Sequence, residues 1–278
     1  LQRHIGFILT LAQIRGARLS RSIRGALERG QRMIDRAALI SQRALFDARG
    51  QSVEPLTQEA LTLLRRLVDR VERGGRCIYV VPDKRRIELD YYRNSILALL
   101  APEVIIATVV ASHPEGVDRD TFLFETRWLS ELFKLEFIYR NDLSFEDIVE
   151  ESLDHLNQAS IISYQNERYS IDLEEEALIL CGAIRHLMES YWIAAHTLKA
   201  SIDEPIEGKA WTKSAVEQAE LAYLEGEVFR AEVASSVCLA NALKWFVHKG
   251  WVKESTEGEG KKRVKYYQLI DTVSFEGF

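Results

Sequence analysis

Helical periodicity runs through most of this 278-residue chain and breaks at three places into short β-type runs. That alternation is the strongest constraint on its fold. Apolar residues recurring three and four positions apart make one-sided helices, whereas β-branched and aromatic runs around a polar turn make hairpins. The first break pairs residues 77–81 with 85–89 around Pro82, Asp83 and Lys84. The second pairs 160–164 with 168–171 around Gln165 and Asn166. The third pairs 251–255 with 264–269 around a loop holding Gly258 and Gly260.

A helix with recognisable signals precedes each break. Pro55 opens the first, with Ala60, Leu64, Leu67, Val68 and Val71 on one face. Ser144 caps the second with Asp147 three residues on, turning Ile148, Leu153 and Leu156 inward. Ser235 or Ser236 starts the third; Leu239, Leu243, Phe246 and Val247 form its stripe and Gly250 ends it. Each of these follows another helix, at about 31–47, 121–138 and 209–224. Longer helices connect the groups. One runs over 90–112 with Pro102 inside. The other runs over 174–201, opens on three glutamates and carries the stripe Leu178, Cys181, Ile184, Leu187, Tyr191, Ala194 and Leu198. The expected fold is mainly α with short β-hairpins: three helix–helix–hairpin units of winged-helix type, joined by long helices. Their sub-units fall at about 1–89, 90–173 and 174–278.

Charge is distributed unevenly. The chain carries a formal charge of −6, which argues against a general nucleic-acid binder. Residues 1–50 nevertheless hold ten Arg and no Lys against Glu28, Asp35 and Asp47, a surplus of seven positive charges. Such a segment suits an anionic partner, with a membrane surface as one candidate and a solvated or partner-facing helix as the other. Cys77, Cys181 and Cys238 are widely spaced and sit among apolar neighbours, so buried free thiols in a reducing compartment are expected. The longest apolar run, 96–111, is interrupted by Pro102 and Glu103 and is too short to span a bilayer. No signal peptide is evident, and a start at Leu1 suits a fragment of a longer protein.

Three sequence blocks carry a resemblance. Residues 88–97 read Glu-Leu-Asp-Tyr-Tyr-Arg-Asn-Ser-Ile-Leu, and 128–139 read Trp-Leu-Ser-Glu-Leu-Phe-Lys-Leu-Glu-Phe-Ile-Tyr. The third block is Glu189-Ser-Tyr-Trp192, then Tyr223-Leu-Glu-Gly-Glu-Val228, then Asn241-Ala-Leu-Lys-Trp-Phe246. In order over about 75–252, these resemble the C-terminal region of bacterial glycerol-3-phosphate acyltransferases. The resemblance implies a catalytic α/β domain upstream, with acyl-CoA or acyl carrier protein as acyl donor and no resident cofactor. It leaves open the close relative that acylates dihydroxyacetone phosphate.

The family's catalytic motif is a His with an Asp five positions on, the His acting as general base on the acceptor hydroxyl. His113 and Asp118 have that spacing, but they follow the Tyr-Tyr-Arg-Asn block, lie in a Pro/Gly loop and lack the hydroxyl residue after the His. No catalytic residue is therefore assigned. His4, His155, His186, His196 and His248 form no metal-ligand spacing, and no metal site is expected. Arg185 and Lys199 read as a solvated face in preference to phosphate contacts. Tyr91, Tyr92, Arg93 and Asn94 are the candidate site: they either contact the catalytic domain or pack as a helix start within this one. The aromatics Phe122, Phe124, Trp128, Phe133, Phe137 and Tyr139 read as core in preference to an acyl channel.

Three functions fit these features. The first is a regulatory or scaffolding region of the acyltransferase, inactive alone and peripheral at the cytoplasmic face of the membrane. The second is a winged-helix nucleic-acid-binding protein. It is opposed by Glu146, Asp147, Glu150, Glu151 and Asp154 on the would-be recognition helix, and helped only by Lys261, Lys262, Arg263 and Lys265 in the third hairpin. The third is a partner-binding adaptor.

Overall fold

The structure, a computed structural model, describes residues 7–8, 10–12, 14–15, 54–137, 139–140, 142–199, 204–258 and 263–272. Side chains at 55–56, 59–60, 63, 76, 83–84 and 87–96 lie outside that description. So do the helix expected at 31–47 and nearly all of the Arg-rich segment.

The chain is mostly helical with small antiparallel sheets. Its described helices are α1 (Glu54–Leu63), α2 (Asp83–Ala111), α3 (Arg119–Leu132), α4 (Phe145–Gln158), α5 (Glu174–Lys199), α6 (Gly208–Glu225) and α7 (Ser236–His248). The strands are β1 (Asp69–Arg73), β2 (Arg76–Val80), β3 (Val117–Asp118), β4 (Ile162–Gln165), β5 (Arg168–Ile171), β6 (Ile206–Glu207), β7 (Val252–Glu257) and β8 (Val264–Leu269). Contacts cluster into two compact units, one of residues 1–130 with 140–181, the other of 131–139 with 182–278.

In the first unit, the C-terminal half of α2 is buried on most sides: Leu100, Val104, Ile105, Ile106 and Val110 are each no more than 2% exposed. A helical stretch apolar on several faces belongs in a core. α4 packs on it, held at its start by a reciprocal cap in which Ser144 accepts from the Asp147 amide and Asp147 accepts from the Ser144 amide. This is the expected capping box. α4 leads into the hairpin β4–β5, turned at Asn166 and Glu167, both at positive φ. The two-residue strand β3, invisible to periodicity, pairs with β5, giving the strand order β3–β5–β4. The Phe122 and Tyr169 rings meet beneath this sheet, 4.6 Å apart.

The second unit repeats the order of elements. β6 pairs with β8, and β8 with β7, so the strand order is β6–β8–β7. α6 buries Trp211, Ala215, Ala219 and Ala222 along one stripe and ends at Gly226, whose positive φ a residue without Cβ adopts freely. Ser235 caps α7 through the Cys238 amide, and Leu239, Leu243 and Phe246 form its buried stripe as expected.

Several expectations are corrected. The first hairpin is β1–β2, turned at Gly74 and Gly75, and residues 85–89 belong to α2. The preceding helix stops at Leu63, so Val71 lies in a strand, exposed. A Gly-Gly pair fits a tight hairpin turn because both residues sit at positive φ. Cys77 is exposed, whereas Cys181 and Cys238 are half-buried. Leu178 is exposed and falls off the stripe that buries Ile184, Leu187, Tyr191, Ala194 and Leu198. Phe124 and Trp128 are exposed, while Phe122, Phe133 and Phe137 are core. Among the described residues, no helix is long and apolar enough to cross a membrane.

Candidate functional site

The segment that follows α3 is fixed from three directions. Phe133, fully buried, sets its ring edge-on against Tyr191 at 5.5 Å and Phe137 at 6.2 Å. The Trp245 indole donates to the Glu131 carbonyl at 2.9 Å, and the Lys249 ammonium pairs with the Glu131 carboxylate at 2.7 Å. The amides of Glu136 and Phe137 both return to the Phe133 carbonyl, so the chain turns once and presents Glu136 inward.

Glu136 is the centre of the resulting cluster. Its Oε1 accepts from the Tyr191 hydroxyl on α5 and the Asn241 amide on α7, each at 3.2 Å. Its Oε2 receives the weaker Cys238 thiol contact at 3.9 Å. Asn241 also donates to the Leu135 carbonyl at 3.4 Å. Burial holds the Glu136 carboxyl above its ordinary range, opposed by the hydrogen bonds from Asn241, Tyr191 and Cys238 and by the Lys244 charge. Burial, followed by the Glu136 charge, raises Tyr191 far above the phenol range. A phenol so held keeps its proton at neutral pH. The cluster therefore fastens α5, α7 and the turn by hydrogen bonds.

A second anchor lies on α5. Glu189 accepts the Phe229 amide on both oxygens at 3.2 Å and the Arg185 guanidinium at 2.8 Å. Arg185 lies over the Phe229 ring, 4.7 Å from its centre. Ser190, fully buried, donates toward the Val233 carbonyl at 3.0 Å. The loop after α6, which takes up the end of the block at 223–228, is thereby held to α5. Val228 of that block is buried.

The first unit has its own buried charge. Glu103 of α2 is fully buried and hydrogen-bonds His155 Nδ1 at 2.9 Å while pairing with Arg15. Its Oε2 has no hydrogen-bond partner among the described residues. Interruption of the apolar run by a single carboxylate was the sequence signal for this knot.

The candidates from sequence fall as follows. Tyr91, Tyr92, Arg93 and Asn94 lie on α2, with their side chains outside the described residues. His113 and Asp118 are not brought together as a pair. His113 contacts Glu125 at 2.9 Å, and Asp118 caps α3 by accepting from the Thr121 amide and hydroxyl. Arg185 is engaged by Glu189, and Lys199 sits about four turns further along α5, too far to share a small anion with it. His186 is buried, and His196 is exposed with its ring against Trp192. Among the described residues, no group of three or more His, Cys, Asp or Glu side chains could hold a metal ion.

Glu136 lies in the second sequence block, whereas Glu189, Tyr191, Val228, Asn241 and Trp245 lie in the third. Within one unit, residues far apart in sequence thus close on each other. This arrangement defines a mostly helical folded region knit together by its own side chains. More particularly, the family model of the glycerol-3-phosphate acyltransferase C-terminal region matches residues 27–255, and the chain belongs to that family.

Proposed function

We propose that this chain is the scaffolding or regulatory C-terminal region of a glycerol-3-phosphate 1-O-acyltransferase. The whole enzyme would transfer a fatty acyl group from acyl-CoA or acyl carrier protein to glycerol-3-phosphate. The observation that carries this reading is the closure of the shared sequence blocks on Glu136 and Glu189, through contacts that fasten segments of the fold. Residues of that kind maintain shape, and the chemistry is expected from an α/β domain upstream. Tyr91, Tyr92, Arg93 and Asn94 would face that domain. The Arg-rich 1–50 segment would hold the assembly peripherally at the cytoplasmic face of an anionic membrane.

The element order supports reading the sub-units at about 90–173 and 174–278 as winged-helix-like. In each, a long helix leads to a short strand, two helices and a hairpin, with the short strand paired to the second hairpin strand. Nucleic acid is not the expected partner, because α4 exposes Glu146, Asp147, Glu150 and Asp154 where a phosphate backbone would approach.

The test is acyl transfer by the purified chain and by the full-length enzyme. The chain alone is expected to transfer no acyl group from acyl-CoA or acyl carrier protein to glycerol-3-phosphate. Full-length enzyme carrying Glu136→Ala is expected to lose thermal stability and yield of active protein, with KM for glycerol-3-phosphate unchanged in the folded fraction. Acylation by the isolated chain that disappears on His113→Ala would overturn the reading.

A further inference from the structure

In the second unit, α6, α7 and β8 enclose a groove of about 780 Å³. Two kinds of side chain line it. Val216, Ala240, Leu243 and Val264 give it an apolar surface, to which the Tyr267 ring adds a flat wall. Lys209, Lys213, Lys244, Arg263 and Lys265 bring five cationic groups to the same groove, against only Glu207 and Glu217.

The cations are not all neutralised by neighbours. Lys213 pairs with Glu217 at 3.7 Å, and Lys265 with Glu254 at 2.8 Å. Lys209 and Arg263 are exposed and make no ion pair among the described residues. Lys244 is exposed and makes none either, although its charge reaches Glu136. Like charges gathered from three separate elements repel one another. They are better accommodated once an anion lies between them. The groove also has a fixed wall: a Cβ at Gly208 would come within 2.9 Å of the Tyr267 ring, so α6 begins in close contact with β8.

We propose that this groove binds an amphiphilic organic phosphate. Its anionic group would sit among Lys209, Lys244 and Arg263, and its aliphatic part would lie on Val216, Leu243 and Tyr267. A concave site that joins an apolar lining to a few convergent charged groups has the chemistry of a small-molecule pocket. The inference depends on the groove alone and requires no acyl transfer by this chain.

Octyl phosphate, inorganic phosphate and phosphatidylcholine vesicles doped with dihexadecyl phosphate are the probes, titrated into the full chain by calorimetry. Octyl phosphate is expected to bind saturably at one site, more tightly than inorganic phosphate and more weakly as salt rises. The double variant Lys209→Glu with Arg263→Glu is expected to weaken it at least tenfold. A control carrying Lys134→Glu with Lys253→Glu makes the same change in net charge at exposed positions outside the groove and is expected to shift affinity less than twofold. Both variants are first checked for an unchanged urea midpoint. If vesicles alone bind and the groove variant abolishes that binding, the ligand is a lipid headgroup; if octyl phosphate alone binds, it is a free amphiphile. Equal binding by the groove variant and the control, or no saturable binding of any probe, would overturn the proposal.

Discussion

Tyr191 on α5 donates its phenolic hydroxyl to Glu136 across 3.2 Å, and the same carboxylate oxygen takes the Asn241 amide from α7. Removing the acceptor leaves two donors in an enclosed site. Glu136→Ala is expected to cost about 1–3 kcal/mol, and Glu136→Gln less, because the amide oxygen still accepts. Urea denaturation at neutral pH measures both.

The same carboxyl sets a pH dependence. Burial raises its folded value above the ordinary 4.5. The folded chain thus retains the proton after the unfolded chain has released it, and stability falls as pH rises between those two values. The contribution is fully present below the ordinary value and is lost once pH passes the folded one. The urea midpoint of the wild type relative to Glu136→Gln is expected to decline from about pH 4 toward neutrality. A flat difference would show that the hydrogen bonds cancel the effect of burial.

Glu103 presents the buried-charge case. Glu103→Ala would strand Arg15 and His155 without their shared carboxylate. Breaking a buried pair by removing one partner costs about 3–5 kcal/mol. Glu103→Leu is expected to do no better than Glu103→Ala while Arg15 remains, and to recover in the double variant with Arg15→Met. Thermal melts of the four proteins make the comparison.

The second hairpin separates two aliphatic and aromatic positions that look alike in sequence. Ile161 is fully buried, so Ile161→Ala is expected to cost about 2–5 kcal/mol. Tyr164 is 53% exposed and rests on the Tyr169 ring at 4.7 Å, so Tyr164→Ala is expected to cost about 1 kcal/mol or less. A cost for Tyr164→Ala equal to that for Ile161→Ala would contradict the exposed placement of Tyr164.

Gly116 precedes β3 at φ +78°, and a Cβ there would meet Ser170 Oγ at 3.0 Å and the Tyr169 carbonyl at 3.1 Å. Gly116→Ala therefore combines backbone strain with a contact against backbone that cannot swing aside. A loss of about 1–3 kcal/mol is expected, with β3 exchanging its amide hydrogens faster.

Local signals survived the passage from sequence to structure where they were chemically specific. The Ser144 cap, the Ser235 cap and the stripe Leu239, Leu243 and Phe246 each depend on neighbours within a turn or two. The first hairpin is hidden in the sequence because Leu64, Leu67, Val68 and Val71 also fit helical spacing, and a short apolar run does not distinguish the two periods. Gly74-Gly75 was the better clue. β3 and β6 have two residues each, too few for any period, and exist only because β5 and β8 offer an edge. The role of Glu136 is not legible in the sequence, because its donors Tyr191 and Asn241 come from helices about 55 and 105 positions away.

β8 is the central strand of its sheet, with β6 on one side and β7 on the other. The family match ends at residue 255, inside β7 and before β8 begins. A protein shortened to that match would lose the strand on which both neighbours depend, together with Leu269 of the core and the Tyr267 wall of the groove. Its unpaired β7 edge would then be open to strands from other molecules, making self-association the expected behaviour of such a truncation.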